Sequence, residues 1–421
     1  MKRGAAGALL LTISMTLVNV GNLAFNLILG RALGPAAFSD LALIVTLWLG
    51  VMMVCSATQL TTARAIAAVA AVGDHAALRA TWRHLARRAW KVGLPLGALW
   101  VLGAHWLAAT FNVASPWPFA IVGAGIPLCL ATAVDRGALQ GELRFGALSL
   151  SFLAEMAVRS AGAVAVAVVM HSVTAATAAL LASFVAARAA AWWATRHLRS
   201  GVDERSGVRL PGLDLPVIAM ATAEVVIAYS DVLLVKASFS RPDAGRYIAL
   251  ALIARAVFAA TWFLVQWMVP VVTQRAARGE PHRGVLRGVL ALMAAGSGAA
   301  VALTVALPGT ILTLAFGASY SSVGGLLPVL VISAMLFGLG LAIVAYDIAV
   351  GNHRAALLAV GAAATQVLGL LVWHGSLNQV IVVQVVVMTS FAASAWWVSA
   401  AHHRSAGTRR HDVRPSVVLQ P

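Results

Sequence analysis

The sequence predicts an all-α polytopic membrane protein with about twelve transmembrane helices, in two six-helix lobes related by a pseudo-twofold axis along the membrane normal. Three observations carry this. Of 421 residues, 61% are hydrophobic and only 10% charged, against about a quarter charged in a soluble domain. The apolar runs are long, unalternating and rich in Ala, Leu and Val, which suits helices rather than barrel strands in lipid. Lysine and arginine fall on alternate connections between the runs, the asymmetry that orients a membrane protein.

A crossing helix needs about 20 apolar residues. In the first half the runs are 6–30, 39–63, 92–111, 118–140, 147–170 and 174–195; in the second they are 214–238, 245–272, 288–314, 323–349, 355–374 and 377–400. With the N-terminus inside, the cytoplasmic segments are the start, 64–91, 135–144, 196–212, 273–287, 350–354 and the tail after 401. They carry 23 Lys and Arg, and the external loops carry only Arg31, Arg241 and Arg246. Both termini are therefore expected in the cytoplasm, in a multi-pass protein of the cell inner membrane. The net charge of +16 follows from these loops and calls for no nucleic-acid partner. Cys55 and Cys129 lie inside apolar runs and suggest neither a disulfide framework nor a metal site. Lys2 and Arg3 precede an apolar run too long for the core of a signal peptide.

The connection 64–91 sets Arg79, Arg83, Arg87, Arg88 and Lys91 among Trp82, Leu85 and Trp90, which suits a helix lying on the membrane surface against lipid headgroups. The polar, Gly-containing stretch near mid-chain reads as a linker. It divides the chain into an N-terminal lobe (1–196), a linker (197–212), a C-terminal lobe (213–401) and a basic, disordered tail (402–421). A faint internal repeat agrees with this division. Pro35-Ala-Ala-Phe-Ser-Asp-Leu-Ala-Leu43 and Pro242-Asp-Ala-Gly-Arg-Tyr-Ile-Ala-Leu250 share Pro, Ala, Ala and Leu. Each follows the first run of its half, and Phe111 and Phe316 each end a third run. Six helices per half would insert both halves in the same orientation and place a substrate site between them.

Several stretches resemble the polysaccharide flippases. Asn26-Leu-Ile-Leu-Gly-Arg31-Ala-Leu33-Gly34-Pro35-Ala-Ala-Phe38 is similar to their first-helix signature. Phe316-Gly317-Ala-Ser-Tyr320, followed by small residues and Leu326-Leu-Pro328, looks like their turn between helices nine and ten. Tyr229-Ser-Asp231-Val-Leu-Leu and Gly245-Arg-Tyr247 resemble their helices seven and eight. The implied family is the oligosaccharide-lipid flippase branch of the multidrug/oligosaccharidyl-lipid/polysaccharide exporter superfamily. Ser39-Asp40 departs from its pattern, which has a Gly and then an apolar or aromatic residue, so this external turn is expected to differ. Room for twelve spans rather than fourteen argues against lipid II as cargo. Gly34-Pro35 should end the first helix, since Pro cannot extend it and Gly accepts unusual dihedrals.

Charges inside lipid are costly and usually face a cavity or a partner. Glu155 and Arg159 form an i,i+4 pair in the favourable order, and Arg188 can reach the depth of Glu155. In the second half Glu224 and Asp231 are seven residues apart, on one helix face, and Arg255 can face them. One reading gives a cationic cavity in which Arg159, Arg188 and Arg255 bind substrate, a diphosphate suiting the planar guanidinium fork. Glu224 and Asp231 are then the ion-coupling candidates. The other reading makes Glu155–Arg159 and Asp231–Arg255 plain helix-locking pairs. No catalytic residues are picked out: the histidines lack metal-ligand spacing, no phosphate-binding Gly-rich loop is present, and no cofactor is expected.

The resemblance implies a flippase that moves polyprenyl-diphosphate-linked oligosaccharide outward for surface polysaccharide or lipopolysaccharide biosynthesis, by alternating access. Its partners would be the lipid-linked oligosaccharide, membrane lipids and polysaccharide-assembly proteins. A cation-coupled multidrug exporter of the same superfamily is the alternative, although three intramembrane arginines weigh against a cavity for cationic drugs.

Overall fold

The computed structural model describes residues 2–199 and 215–412, with thirteen α-helices among them and no strand. α1 (Lys2–Ala70) leads to α2 (His75–Leu102), α3 (Ala104–Thr110), α4 (Trp117–Gly141), α5 (Phe145–Ala165) and α6 (Val173–Ala194). After the linker come α7 (Leu215–Ser238), α8 (Arg241–Ala277), α9 (Arg283–Ala306), α10 (Pro308–Phe316), α11 (Leu327–Ala349), α12 (Ala356–Val372) and α13 (Leu377–Asp412).

Nine of the described helices are long and apolar enough to cross a membrane, and the α2–α3 pair, bent by 55°, makes a tenth crossing. α1 has 69 residues, a length of about 100 Å, where a bilayer core is about 30 Å thick. It divides at Gly34, whose φ of 71° is left-handed and is followed by Pro35; this is the break expected from that dipeptide. With α1 counted as two arms the described crossings number eleven; α7, which carries Glu224, Asp231 and Lys236, is not among them. Large apolar side chains face outward, Leu102 at 82%, Val169 at 74% and Leu314 at 72% exposure, which only lipid can cover without a large hydrophobic penalty.

The described chain forms two compact units. Unit 1 is Met1–Gly212 with Val235–Ala249 and Thr313–Tyr320; unit 2 is Leu213–Leu234, Leu250–Leu312 and Ser321–Pro421. In unit 1, Phe25, Leu29 and Leu41 of α1 pack with Ala163 and Val166 at the end of α5 and Ala176 and Leu180 of α6. In unit 2, Met268 and Val272 of α8 pack with Val289 and Met293 of α9 and Tyr346 of α11.

Three local expectations are corrected. The basic stretch 75–91 is no separate surface helix. Asp74 caps it, accepting from the Ala76 and Ala77 amides at 2.9 Å each, and α2 then runs unbroken to Leu102, with Trp82 and Leu85 buried. The segment 135–144 is not all loop, because α4 continues to Gly141 and turns only at Leu143 (φ 58°). Asp135 and Arg136 are therefore buried helix residues. α13 extends helically to Asp412, into the tail read as disordered; residues 413–421, like 200–214 of the linker, lie outside the described residues.

Three of the motifs that carry the family resemblance meet in unit 1, while Tyr229–Asp231 and Leu326–Pro328 belong to unit 2. Phe38, Phe316 and Tyr320 are all buried, their ring centroids 5.3–6.4 Å apart. The Tyr320 hydroxyl donates to the Gly30 carbonyl at 2.8 Å, and Arg31 Nη1 donates to the Leu314 carbonyl at 3.2 Å. The two repeat segments touch here. A Cβ built on Gly245 would lie 1.8 Å from the Pro35 carbonyl oxygen, so only glycine permits this approach.

Candidate functional site

Unit 1 holds six charged residues in two groups, one around Glu155 and one around Asp135. α4 presents Asp135 and Arg136 in succession, so they diverge around the helix. α5 presents Glu155 and Arg159 one turn apart, and α6 presents Arg188. Glu155 is shared by two bases: Arg136 Nη2 lies 2.8 Å from its Oε2, and Arg159 Nη2 binds its Oε1. Arg136 also donates from Nε to Ser151 Oγ at 2.9 Å and from Nη2 to the Ser151 carbonyl at 3.1 Å, and it lies 3.9 Å over the Phe152 ring. Arg159 Nη1 donates to Asn22 Oδ1 at 2.6 Å, and its Nε is buried with no hydrogen-bond partner.

Asp135 is shared in the same way. Arg188 Nη1 pairs with its Oδ2, Arg199 Nη2 lies 3.6 Å from the same oxygen, and Trp82 Nε1 donates to Oδ1 at 2.9 Å. Arg199, beyond the end of α6, lies 4.5 Å from the Trp192 ring and 5.1 Å from that of Trp82. Burial lowers its pKa and the Asp135 carboxylate opposes the shift. With two guanidinium groups on each carboxylate, both groups are net cationic.

Beside them opens a cavity of about 500 Å³, lined by Met15, Gln59, Arg136, Gln140, Phe152 and Phe184 among others. Arg136 is its one charged residue among the described lining. The free thiols Cys55 and Cys129 line it too. Unit 2 has a smaller counterpart of about 60 Å³, lined by Asp231, Arg255, Ser333, Gln366 and Gln384 among others. There Arg255 Nη2 pairs with Asp231 Oδ1 at 2.9 Å and lies 4.7 Å from the Tyr229 ring. Gln366 Nε2 donates to the Ile227 carbonyl and to Ser230 Oγ, while its buried Oε1 has no partner. A volume of this size and polarity suits a few ordered waters.

The sequence-derived residues are thus placed as follows. Arg159 joins the group around Glu155 and Arg188 the separate group around Asp135. Arg255 belongs to unit 2 with Asp231, as a pair on α8 and α7. Glu224 is half-buried and has no salt bridge among the described residues. Sequence reasoning passed over Asp135 and Arg136, counting them with the cytoplasmic segment 135–144 although the apolar run 118–140 contains both; that run was the available signal. No group of three or more His, Cys, Asp or Glu side chains that could hold a metal ion occurs among the described residues.

The sequence matches no protein-family model and no curated protein. Solved structures do match. An inward-facing multidrug resistance MATE family transporter of the MOP superfamily aligns over 96% of this chain and 99% of its own, with a TM-score of 0.76 at 14% identity. An outward-facing one aligns over 94% of each chain, with a TM-score of 0.63 at 16% identity. A MOP superfamily transporter from Pyrococcus furiosus, described as having a binding pocket of reversed polarity that suggests a different function, covers 94% and 95% at a TM-score of 0.60 and 16% identity. The chain has the fold of the MATE transporters of the MOP superfamily, over nearly its whole length.

Proposed function

We propose that the protein is a flippase that carries polyprenyl-diphosphate-linked oligosaccharide from the cytoplasmic to the outer leaflet of the cell inner membrane, by alternating access. The observation that carries this reading is the cavity of unit 1: one arginine, Arg136, set among glutamines and apolar walls, with two net-cationic groups beside it. An anionic headgroup would meet the guanidinium fork, the sugars the glutamines, and the polyprenyl chain would stay in lipid. Arg159 shares Glu155 with Arg136, so one carboxylate serves two guanidinium groups and a net positive charge is left for the headgroup, while Arg188 holds Asp135 in the neighbouring group. Glu224, without a salt bridge among the described residues, is the better ion-coupling candidate of its pair, because Asp231 is held by Arg255.

The likeness to multidrug resistance MATE transporters favours the exporter as a second reading. A cationic drug needs an available carboxylate, however, and the unit 1 cavity offers none: both acids beside it are each shared by two bases. The Pyrococcus furiosus transporter offers a parallel, since its reversed pocket polarity is tied to a different function.

Deleting the gene should deplete one surface glycan while its lipid-linked precursor accumulates on the cytoplasmic side, seen by extracting and sizing both. Unchanged glycan with new sensitivity to cationic drugs would transfer the assignment to the exporter. For orientation, single cysteines in a background lacking Cys55 and Cys129 should be labelled from outside at Ser115 and Ser321, and only from inside at Ser206. External labelling of Ser206 would overturn the proposed sidedness.

A further inference from the structure

The two residues that depart from the flippase pattern, Ser39 and Asp40, are buried at 0% and 1% exposure. Both are bound by a lysine nearly two hundred residues away. Lys236 is itself fully buried, and three acceptors surround its ammonium: Asp40 Oδ1 at 2.6 Å, Ser39 Oγ at 3.0 Å and the Asn112 carbonyl at 3.1 Å. Arg241, from the start of α8, pairs with Asp40 Oδ2 and donates from Nε to Oδ1 at 3.3 Å. The Ala114 amide donates to Asp40 Oδ2 at 3.3 Å. One carboxylate thus joins three stretches of chain: the second arm of α1, the turn after α3, and the α7–α8 hairpin. The Phe38–Phe316–Tyr320 cluster adjoins it through Phe38.

We infer that Asp40, with Lys236 and Arg241, is a latch on the external mouth, made in the state described here and parted when the mouth opens. The inference rests on the transport reading above. A buried ion pair contributes little net stability against apolar residues of the same shape, because desolvation offsets the Coulomb gain. As a static tie it has no advantage over leucine. As a reversible tie it has one: once parted, the carboxylate, ammonium and guanidinium are all rehydrated, whereas parted apolar faces would be left in water. Near-balance between joined and parted forms is what a two-state element requires. The adjoining aromatic cluster then seals the mouth while the ion cluster decides when it opens.

The native thiols Cys55 and Cys129, which line the unit 1 cavity, serve as reporters. In right-side-out vesicles, a membrane-impermeant methanethiosulfonate reagent added outside should label them about tenfold faster or more in Asp40→Asn and in Lys236→Met than in the unaltered chain. Asp40→Asn strands two cations and could unfold the protein, so the neutral triple Asp40→Asn/Lys236→Met/Arg241→Gln is the decisive variant. It should keep its detergent melting temperature and still label faster from outside. Unchanged external labelling in that folded variant would overturn the latch. So would faster labelling from both sides with a lowered melting temperature, which marks a merely structural tie. Labelling needs no substrate, so a parallel flipping assay on the unaltered chain separates failure of the latch from failure of the flippase reading.

Discussion

Glu155→Ala should lower stability by about 3–5 kcal/mol, the cost of leaving buried charges without their partner. The effect should be large because this one carboxylate serves two cations, Arg136 and Arg159, all three at 7% exposure. Arg159→Ala should cost less, since Glu155 keeps Arg136 at 2.8 Å. Adding Arg159→Ala to Glu155→Ala should repair part of the damage and not all of it, because Arg136 stays unpaired. A double-mutant cycle read by thermal unfolding in detergent measures this; complete repair would mean that Arg136 does not share the charge. Flipping in proteoliposomes separates the two arginines. Arg136→Lys keeps the charge but loses the planar fork, so it should impair flipping while stability stays close to that of the unaltered chain. Arg159→Lys should flip nearly as well as the unaltered chain, and the reverse order would move the headgroup contact to Arg159.

Gly245→Ala offers a test of sign. In an ordinary helix interior the change stabilises by about 0.8–1 kcal/mol, since Gly loses the most backbone freedom on folding. Gly245 lies inside α8, yet its Cβ would fall 1.8 Å from the Pro35 carbonyl oxygen, a backbone atom unable to swing aside. The two repeat segments would have to separate, so Gly245→Ala should destabilise by about 3 kcal/mol or more, the upper end of overpacking costs. Thermal unfolding decides it: a gain in stability would mean that the two segments are not in close contact in the working protein.

The periodic and compositional features were the readable ones. Long apolar runs located the helices, Gly34-Pro35 located the break in α1, and the i,i+4 spacing located Glu155–Arg159. Partners distant in sequence were not readable. Arg188 was expected near Glu155 because depth along a helix can be counted, but it turns to Asp135, a matter of rotation between α4 and α6 that no local pattern encodes. Asp135 and Arg136 were passed over because two adjacent charges near the inner end of the run 118–140 read as loop charge, while in the folded chain each is covered by a different neighbour. Ser39-Asp40 stood out only as a departure from pattern; its partners on the α7–α8 hairpin needed the structure.

The single charge on the unit 1 cavity bears on the energy source. A diphosphate diester carries two negative charges, so on the proposed reading the loaded cavity bears one net negative charge and the empty one a positive charge from Arg136. Cells hold their interior at negative voltage. Carrying a net negative charge outward is then favoured by the field, by about 2.3 kcal/mol per charge for each 100 mV traversed. The return of the empty site, which brings a positive charge inward, is favoured as well. Both halves of the cycle run with the voltage, so export can draw on the membrane potential directly through its cargo, and a proton or sodium ion carried by Glu224 would supplement that drive.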